Sequence, residues 1–168
     1  MRTTGTRGPN INILACMSAD GILLWRTVDK VSWLTFNEFL EDVSREITAS
    51  APGQDAVIIF DNAPAHRRAE DAVLSQGHSI KYLPPYSPFF NPIEEMFSKF
   101  KSCVKGYLSE HNADVLARPE GTTLKEHRWR MLKSATYEAM QKIQRIDCAS
   151  YDRNHFRYIA PALVREDM

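Results

Sequence analysis

Five consecutive apolar residues, Ala56-Val57-Ile58-Ile59-Phe60, stop abruptly at Asp61-Asn62. A run this short and continuous predicts a strand buried on both faces, the kind that sits inside a layered α/β fold. The carboxyl end of such a strand is where open α/β sheets place their functional groups, which puts Asp61 in a privileged position. A plainer role is open to the same residue: a strand-end Asp often hydrogen-bonds the turn that follows it. Asn62 and His66 have ordinary readings too, as a turn residue and as a first-turn helix His with its ring toward solvent.

On the amino-terminal side, Asn10 to Met17 reads as a strand, Ala19-Asp20-Gly21 as a turn, and Ile22 to Val28 as the partner strand of a hairpin. Trp33, Phe36, Phe39, Leu40, Val43 and Ile47 recur at three- and four-residue steps and predict an amphipathic helix from about Ser32 to Thr48. Ala51-Pro52-Gly53-Gln54 ends it. After Asp61 the pattern predicts a helix from about Ala65 to Gln76, closed by Gly77, and a strand over Ile80 to Leu83. Pro84-Pro85-Tyr86-Ser87-Pro88 is then a stiff extended loop, because proline fixes φ and restricts the residue before it. A long helix follows from Pro92 to about Leu108. The tail reads as mainly helical, with Trp129, Leu132, Ala135, Ala139, Ile143 and Ile146 on one apolar stripe. Strands first and helices later predict one α/β domain over residues 1–168, with a hairpin at about 10–28, a core at 56–108 and a helical tail at 109–168.

Helix phase separates two neighbouring acids. From Pro92 onward, Ile93, Met96, Phe97, Phe100, Val104, Tyr107 and Leu108 make one apolar face. At about 100° per residue, Glu94 borders that face and Glu95 points to solvent. Asn91 at the N-cap, Pro92 at N1 and Glu94 at N3 also form an Asn version of a capping box, and a carboxylate there suits the helix dipole. The capping role and a site role are compatible. Acids delivered from a strand end and a helix start can converge on hard cations, and Mg²⁺ or Mn²⁺ bind through one or two carboxylates plus phosphate oxygens. Lys99, Lys101 and Lys105 lie just beyond Glu94, either as contacts for a DNA backbone or as a solvated helix face.

Composition narrows the class without choosing it. Of the 168 residues 43% are hydrophobic and 25% charged, and no apolar run approaches the roughly 18 residues needed to span a bilayer. Cys16, Cys103 and Cys148 are odd in number and far apart. That argues against a disulfide framework or a C-x-x-C zinc site and points to the cell interior. The net charge of zero is unevenly spread: residues 1–95 hold 8 Lys and Arg against 12 Asp and Glu, and residues 96–168 hold 13 against 9. A basic second half can face an anionic polymer, or be solvated surface.

The segments Asp61-Asn62-Ala63-Pro64-Ala65-His66 and Leu83-Pro84-Pro85-Tyr86-Ser87-Pro88-Phe89-Phe90-Asn91-Pro92-Ile93-Glu94 together resemble the mariner superfamily of DDE transposases and their bacterial insertion-sequence relatives. That family carries D-N-x-x-x-H after a strand, then P-x-Y-S-P-x-x-N-P-I-E opening a helix with a basic continuation, here Ser98-Lys99-Phe100-Lys101. A fainter likeness reaches back through the hairpin and Arg7-Gly8-Pro9-Asn10, so that it covers about residues 5–108.

The resemblance implies an RNase H-like, three-layer fold and two-metal DNA strand cleavage and transfer at transposon ends. It implies Asp61 and Glu94 as catalytic metal ligands for Mg²⁺ or Mn²⁺, supported by Asn62, His66 and Asn91, with Lys99, Lys101 and Lys105 on DNA. It also implies a nuclear location in a eukaryote or a cytoplasmic one in a bacterium. Asp61 and Glu94 are 33 positions apart, slightly fewer than is usual in the family.

The pattern departs from the family at its first acid, which belongs on a central strand upstream of the hairpin. Asp20 in the hairpin turn and Asp29 just past it do not stand at that position. The expectation is a sheet lacking its first central strand, with unpaired edges and marginal stability unless a second copy or another segment supplies the strand. Such a chain is expected to be inactive by itself. The alternative is a domesticated, non-catalytic module that binds DNA or assembles with protein.

Overall fold

The computed structural model describes residues 10–66, 69, 73, 77–85, 87–117 and 119–164, apart from the side chains of 156 and 158–164. Two strands open the chain, β1 (Asn12–Ser18) and β2 (Gly21–Val28), paired antiparallel with a register shift between Cys16 and Met17. The turn between them closes on Gly21 at φ +135°, a backbone region that side chains bearing a Cβ rarely enter. Asp20 is held in the turn by the Ser18 hydroxyl, which accepts its N–H at 3.1 Å.

Helix α1 (Trp33–Ser50) starts where its sequence says it should. The Ser32 hydroxyl accepts the Thr35 N–H, and the Thr35 hydroxyl accepts the Ser32 N–H at 3.0 Å, a reciprocal cap that satisfies two end donors. Phe36, Phe39, Leu40 and Val43 form its buried stripe. Burying each side chain of this size is worth roughly 1.5–3 kcal/mol relative to exposure. Trp33, at the other end of the expected stripe, is 47% exposed, because the packing begins one turn later at Phe36. Arg26 of β2 lies over the Phe39 ring, 5.1 Å from its centroid, and pairs with Asp42 at 2.9 Å, so the hairpin is fastened to the helix by charge as well as by apolar contact.

The apolar run becomes β3 (Val57–Phe60), hydrogen-bonded in parallel to β4 (Ser79–Tyr82) in register Val57↔Ser79 to Phe60↔Tyr82. The expectation of burial on both faces is corrected here. Ile58 and Phe60 are buried against α1, while Val57 and Ile59 are each 56% exposed. Alternate side chains of a strand take opposite faces, and only the α1 face of β3 is covered among the described residues. The same one-sidedness shows in the sheets: β1 pairs with β2 and β3 pairs with β4, as two separate two-stranded sheets. Leu14 of β1 and Ile58 and Phe60 of β3 belong to one core cluster with Phe36, Phe39, Leu40 and Val43. Helix α1 therefore joins two sheets that share no strand pairing among the described residues.

Of the helix expected over Ala65–Gln76, only its start and two positions are described. Pro64–His66 is a 3-10 turn, and Ala69 and Val73 are fully buried in the α1 cluster; the other residues of that stretch lie outside the described set. Gly77 takes φ +81°, as its closing position requires. His78 is buried at the start of β4. Its Nδ1 accepts the Ala56 N–H at 3.4 Å, and its Nε2 lies 3.3 Å from the Ser44 carbonyl and 3.2 Å from the Thr48 hydroxyl, so one ring ties α1 to both strands.

Helix α2 (Pro92–Glu110) is followed by α3 (Asn112–Leu116), α4 (Leu124–Gln141) and α5 (Arg145–Val164). Two compact units are distinguished: Asn12–Phe97 with Gln144–Met168, and Met1–Ile11 with Ser98–Ile143. In the second, Phe100, Ala135, Ala139, Met140 and Ile143 are buried, and His127 Nε2 donates to the Asp114 carbonyl at 2.6 Å. The apolar stripe expected through Ile146 is interrupted. Helix α4 ends at Gln141, and Gln144 donates its N–H to Asp147 at 2.8 Å, which starts α5 afresh and leaves Ile146 69% exposed. In the first unit α5 is held by Arg145 on Asp20, by Asn154 on Glu95 at 3.3 Å and by His155 on the Phe89 carbonyl at 3.0 Å.

Among the described residues no helix is long and apolar enough to cross a membrane. None of the three cysteines forms a disulfide. Burial pushes the Cys16 thiol up to about 11, which keeps it protonated and slow to react. Cys148 is fully buried, so iodoacetamide at pH 8 is expected to label Cys103 first. Equal labelling of Cys16, read by mass spectrometry, would mean that the hairpin opens in solution.

Candidate functional site

Parallel pairing of β3 and β4 brings their carboxyl ends to the same edge, and the loops that leave them become neighbours. Leu83 donates its N–H to the Phe60 carbonyl at 3.0 Å, extending the ladder by one step. The Asn62 side-chain amide then donates to the Leu83 carbonyl, which bolts the Asp61 loop to the proline-rich loop. The turn role foreseen for Asn62 is thus a cross-loop role.

Asp61 does shape the turn that follows it, since its Oδ1 accepts the Ala63 N–H at 3.0 Å. The same oxygen is 2.8 Å from His66 Nδ1, which also lies 2.9 Å from the Asp61 carbonyl. Both side-chain contacts fall on Oδ1, so among the described residues Oδ2 remains available to a ligand. The expected solvent-facing ring of His66 is not what forms. The imidazole stacks on Phe36 (centroids 4.1 Å, 28° between planes) and meets the Phe60 edge at 5.0 Å, leaving its side chain 18% exposed. Tyr82 donates its hydroxyl to the His66 carbonyl at 3.2 Å. A ring packed between Phe36 and Phe60 holds the Asp61 carboxylate in one orientation.

Glu94 arrives from the other direction. After the proline loop, Pro88–Phe90 makes a single 3-10 turn; the Asn91 N–H donates to the Pro88 carbonyl at 2.9 Å and the Glu94 N–H to the Asn91 carbonyl at 3.0 Å. This main-chain relay sets the first turn of α2. Asp61, Asn62, Ser87, Asn91 and Glu94 line one open cleft of about 370 Å³, floored by Leu83 and the prolines 84, 85 and 88. Glu95 is not among its lining residues. It takes the Asn154 hydrogen bond on the α5 side, so it has a structural partner as well as exposure to solvent. Both acids are exposed, and they differ in what they meet: Glu94 the cleft, Glu95 helix α5. Lys99, Lys101 and Lys105 do not line the cleft; Lys99 is half-buried, and Lys101 and Lys105 are exposed along α2.

The donor set is of one chemical kind. Two carboxylates, side-chain amides and a hydroxyl are hard oxygen ligands, suited to Mg²⁺ or Mn²⁺ and poorly suited to soft metals. Among the described residues no group of three or more His, Cys, Asp or Glu comes together. The sequence did not disclose Phe36 and Tyr82 as supports of His66, because one comes from α1 and the other from the end of β4. Replacing His66 by Phe keeps the stack on Phe36 while releasing Asp61. The expected result is a Mn²⁺ affinity about tenfold lower at an unchanged thermal midpoint. An unchanged affinity, measured by titration calorimetry, would remove His66 from any positioning role.

A sequence-family profile described as DDE superfamily endonuclease matches residues 2–116. No curated protein sequence is significantly similar to the chain. Among solved structures, the catalytic domain of Mos1 mariner transposase is similar at 18% identity and a TM-score of 0.49, over 84% of this chain and 74% of that one. The Mos1 transposase paired-end complex with the left transposon end gives 19% identity and a TM-score of 0.48, over 90% of this chain and 48% of that one, about half its length. A Mos1 catalytic domain with Raltegravir and Mg gives 17% and 0.47, over 84% and 75%.

Proposed function

Because the chain belongs to the DDE superfamily endonuclease family, we propose that Asp61 and Glu94 are two of the carboxylates that hold a divalent metal, Mg²⁺ or Mn²⁺, for phosphodiester cleavage in DNA. One observation carries this reading: a strand end and a helix start, distant in sequence, deliver these two acids to one cleft made of oxygen donors. The fold we assign is RNase H-like and the parent activity that of a mariner-like transposase, cleaving and joining DNA strands. A metal held by these two carboxylates would activate a water or a DNA 3′-hydroxyl as nucleophile and stabilise the charge on the leaving oxygen. The protein's own part is positional. His66 orients Asp61 through Oδ1, Asn62 locks the two loops together, and Asn91 sets the first turn that presents Glu94. Lys101 and Lys105, exposed on α2, contact phosphate, with Lys99 beside them.

Two carboxylates are one fewer than this chemistry needs, and no third joins them among the described residues. Among the described residues β1 and β3 each pair on one edge alone, and a strand carrying the third acid, from another segment or a second copy, would pair with the edges left. Until it is present the site binds metal without turning over DNA. The same shortfall favours a second reading, a domesticated module that holds DNA or a protein partner and performs no chemistry.

A nicking assay on supercoiled plasmid with Mn²⁺ tests this, comparing the chain with Asp61→Asn. Metal binding that is lost in Asp61→Asn, with little or no nicking by either protein, is the expected result. Robust nicking by the chain as it stands would overturn the claim that a ligand is lacking. Metal binding indifferent to Asp61→Asn would remove this cleft from the reading altogether.

A further inference from the structure

The charge imbalance follows the compact units. Asn12–Phe97 carries 6 Lys and Arg against 12 Asp and Glu, whereas Ser98–Ile143 carries 9 against 5. The acidic carboxylate cleft and the basic helices thus belong to different units, and the basic one has a surface of its own. On α4, Lys125, Trp129, Lys133 and Tyr137 recur every four residues. Each such step advances about 6 Å along the helix and turns only about 40°, so the four form one gently winding stripe. Arg130 lies beside it.

The stripe is unlike an ordinary solvated helix face. Trp129 is 41% exposed and Tyr137 47%, large rings that a helix in a single core would normally bury. The Lys133 ammonium stands over the Trp129 ring, 5.2 Å from its centroid. The acid on this side of the helix, Glu126, is turned onto Thr123, accepting its N–H at 2.9 Å and its hydroxyl at 2.8 Å as the helix cap. Lys125, Trp129 and Tyr137 are exposed, and Lys133 is half-buried against Trp129. The packed residues of α4, Ala135, Thr136, Ala139 and Met140, lie in its carboxyl-terminal half and border the stripe there.

We propose that the Lys125–Trp129–Lys133–Tyr137 stripe of α4, with Arg130 beside it, is a second nucleic-acid contact surface, and that its occupant is a single strand. Unpaired bases offer π-faces to exposed rings while lysine and arginine meet the phosphates between them. A stacked duplex hides those faces, so it can use the cations but not the rings. Charge complementarity favours this occupant over a protein partner, for which three cations around one tryptophan would need matching acids.

The test is fluorescence and anisotropy titration of the full chain with a dT20 oligonucleotide and a duplex of equal length, in EDTA. Excluding divalent metal makes the result independent of Asp61 and Glu94. Three outcomes are expected. The single strand binds more tightly than the duplex, with quenching that disappears in Trp129→Phe. Trp129→Ala weakens dT20 binding by roughly 5- to 100-fold. Arg130→Gln with Lys133→Gln weakens it and lowers the salt slope by about 1.4, two phosphates at 0.7 each. Trp129 is substantially exposed, so these variants should fold, and unchanged thermal midpoints will verify it. Equal affinity of all variants for dT20 would overturn the proposal, as would a duplex preference. So would a concentration-dependent mass by light scattering that Trp129→Ala abolishes, because the stripe would then be an interface between copies.

Discussion

Replacing Glu94 by Gln is expected to lower Mn²⁺ affinity by roughly 10²-fold or more, whereas Glu95→Gln should change it by less than about twofold. The two residues are adjacent, of one type and both exposed, so composition, local charge and helix propensity cannot separate them. Their angular positions on α2 do. Glu94 lines the cleft with Asp61, and Glu95 meets Asn154 of α5. Gln at 94 keeps the length of the side chain and an oxygen but removes the charge that a hard cation requires. Gln at 95 can still accept from Asn154 through its amide oxygen, so neither stability nor metal binding should suffer. Equal losses in the two variants would show that the acids act through general electrostatics, and the cleft would lose its claim to be a metal site.

Phe36→Ala should be the most damaging single change to the fold, costing about 3–5 kcal/mol. At roughly 2–4 °C per kcal/mol for a chain of this size, the thermal midpoint falls by roughly 6–20 °C. Phe36 is 6% exposed and meets Phe60 edge-on at 5.5 Å and His66 face-on at 4.1 Å. Its removal opens a cavity between α1 and β3 and withdraws the platform on which His66 holds Asp61. Loss of stability and loss of metal affinity should therefore appear together. Phe36→Leu, which refills most of the volume without a flat ring, should recover most of the stability and little of the metal affinity. A cost below about 1 kcal/mol for Phe36→Ala would mean that this corner of the core is loosely packed.

Local patterns carried much of the fold. The hairpin, α1, β3, β4 and α2 appear close to the positions that periodicity and turn residues predict, because side-chain period, caps and turns are set by residues near one another in the chain. Ser32 and Thr35 cap α1 through short-range bonds of this kind. The expectations that failed depended on remote neighbours. An apolar run reports that a strand is able to be buried, not how many of its faces are covered. Val57 and Ile59 remain exposed for want of a covering layer among the described residues. The stripe from Trp129 to Ile146 followed one helical period, but Asp147 capped the Gln144 N–H and began a new helix.

The abrupt stop of the apolar run at Asp61 was legible in the chain itself, as was the difference in angular position between Glu94 and Glu95 on α2. Both follow from strand and helix periods, which the order of residues determines. Tertiary structure decided which groups those acids would meet. Parallel pairing of β3 with β4 set the Asp61 loop against the proline loop, and α1 supplied the ring that turns His66 away from solvent and onto Asp61. Those contacts join residues about 20 to 30 positions apart, a separation at which no repeat of the backbone dictates who is adjacent, and only the packing of the core does.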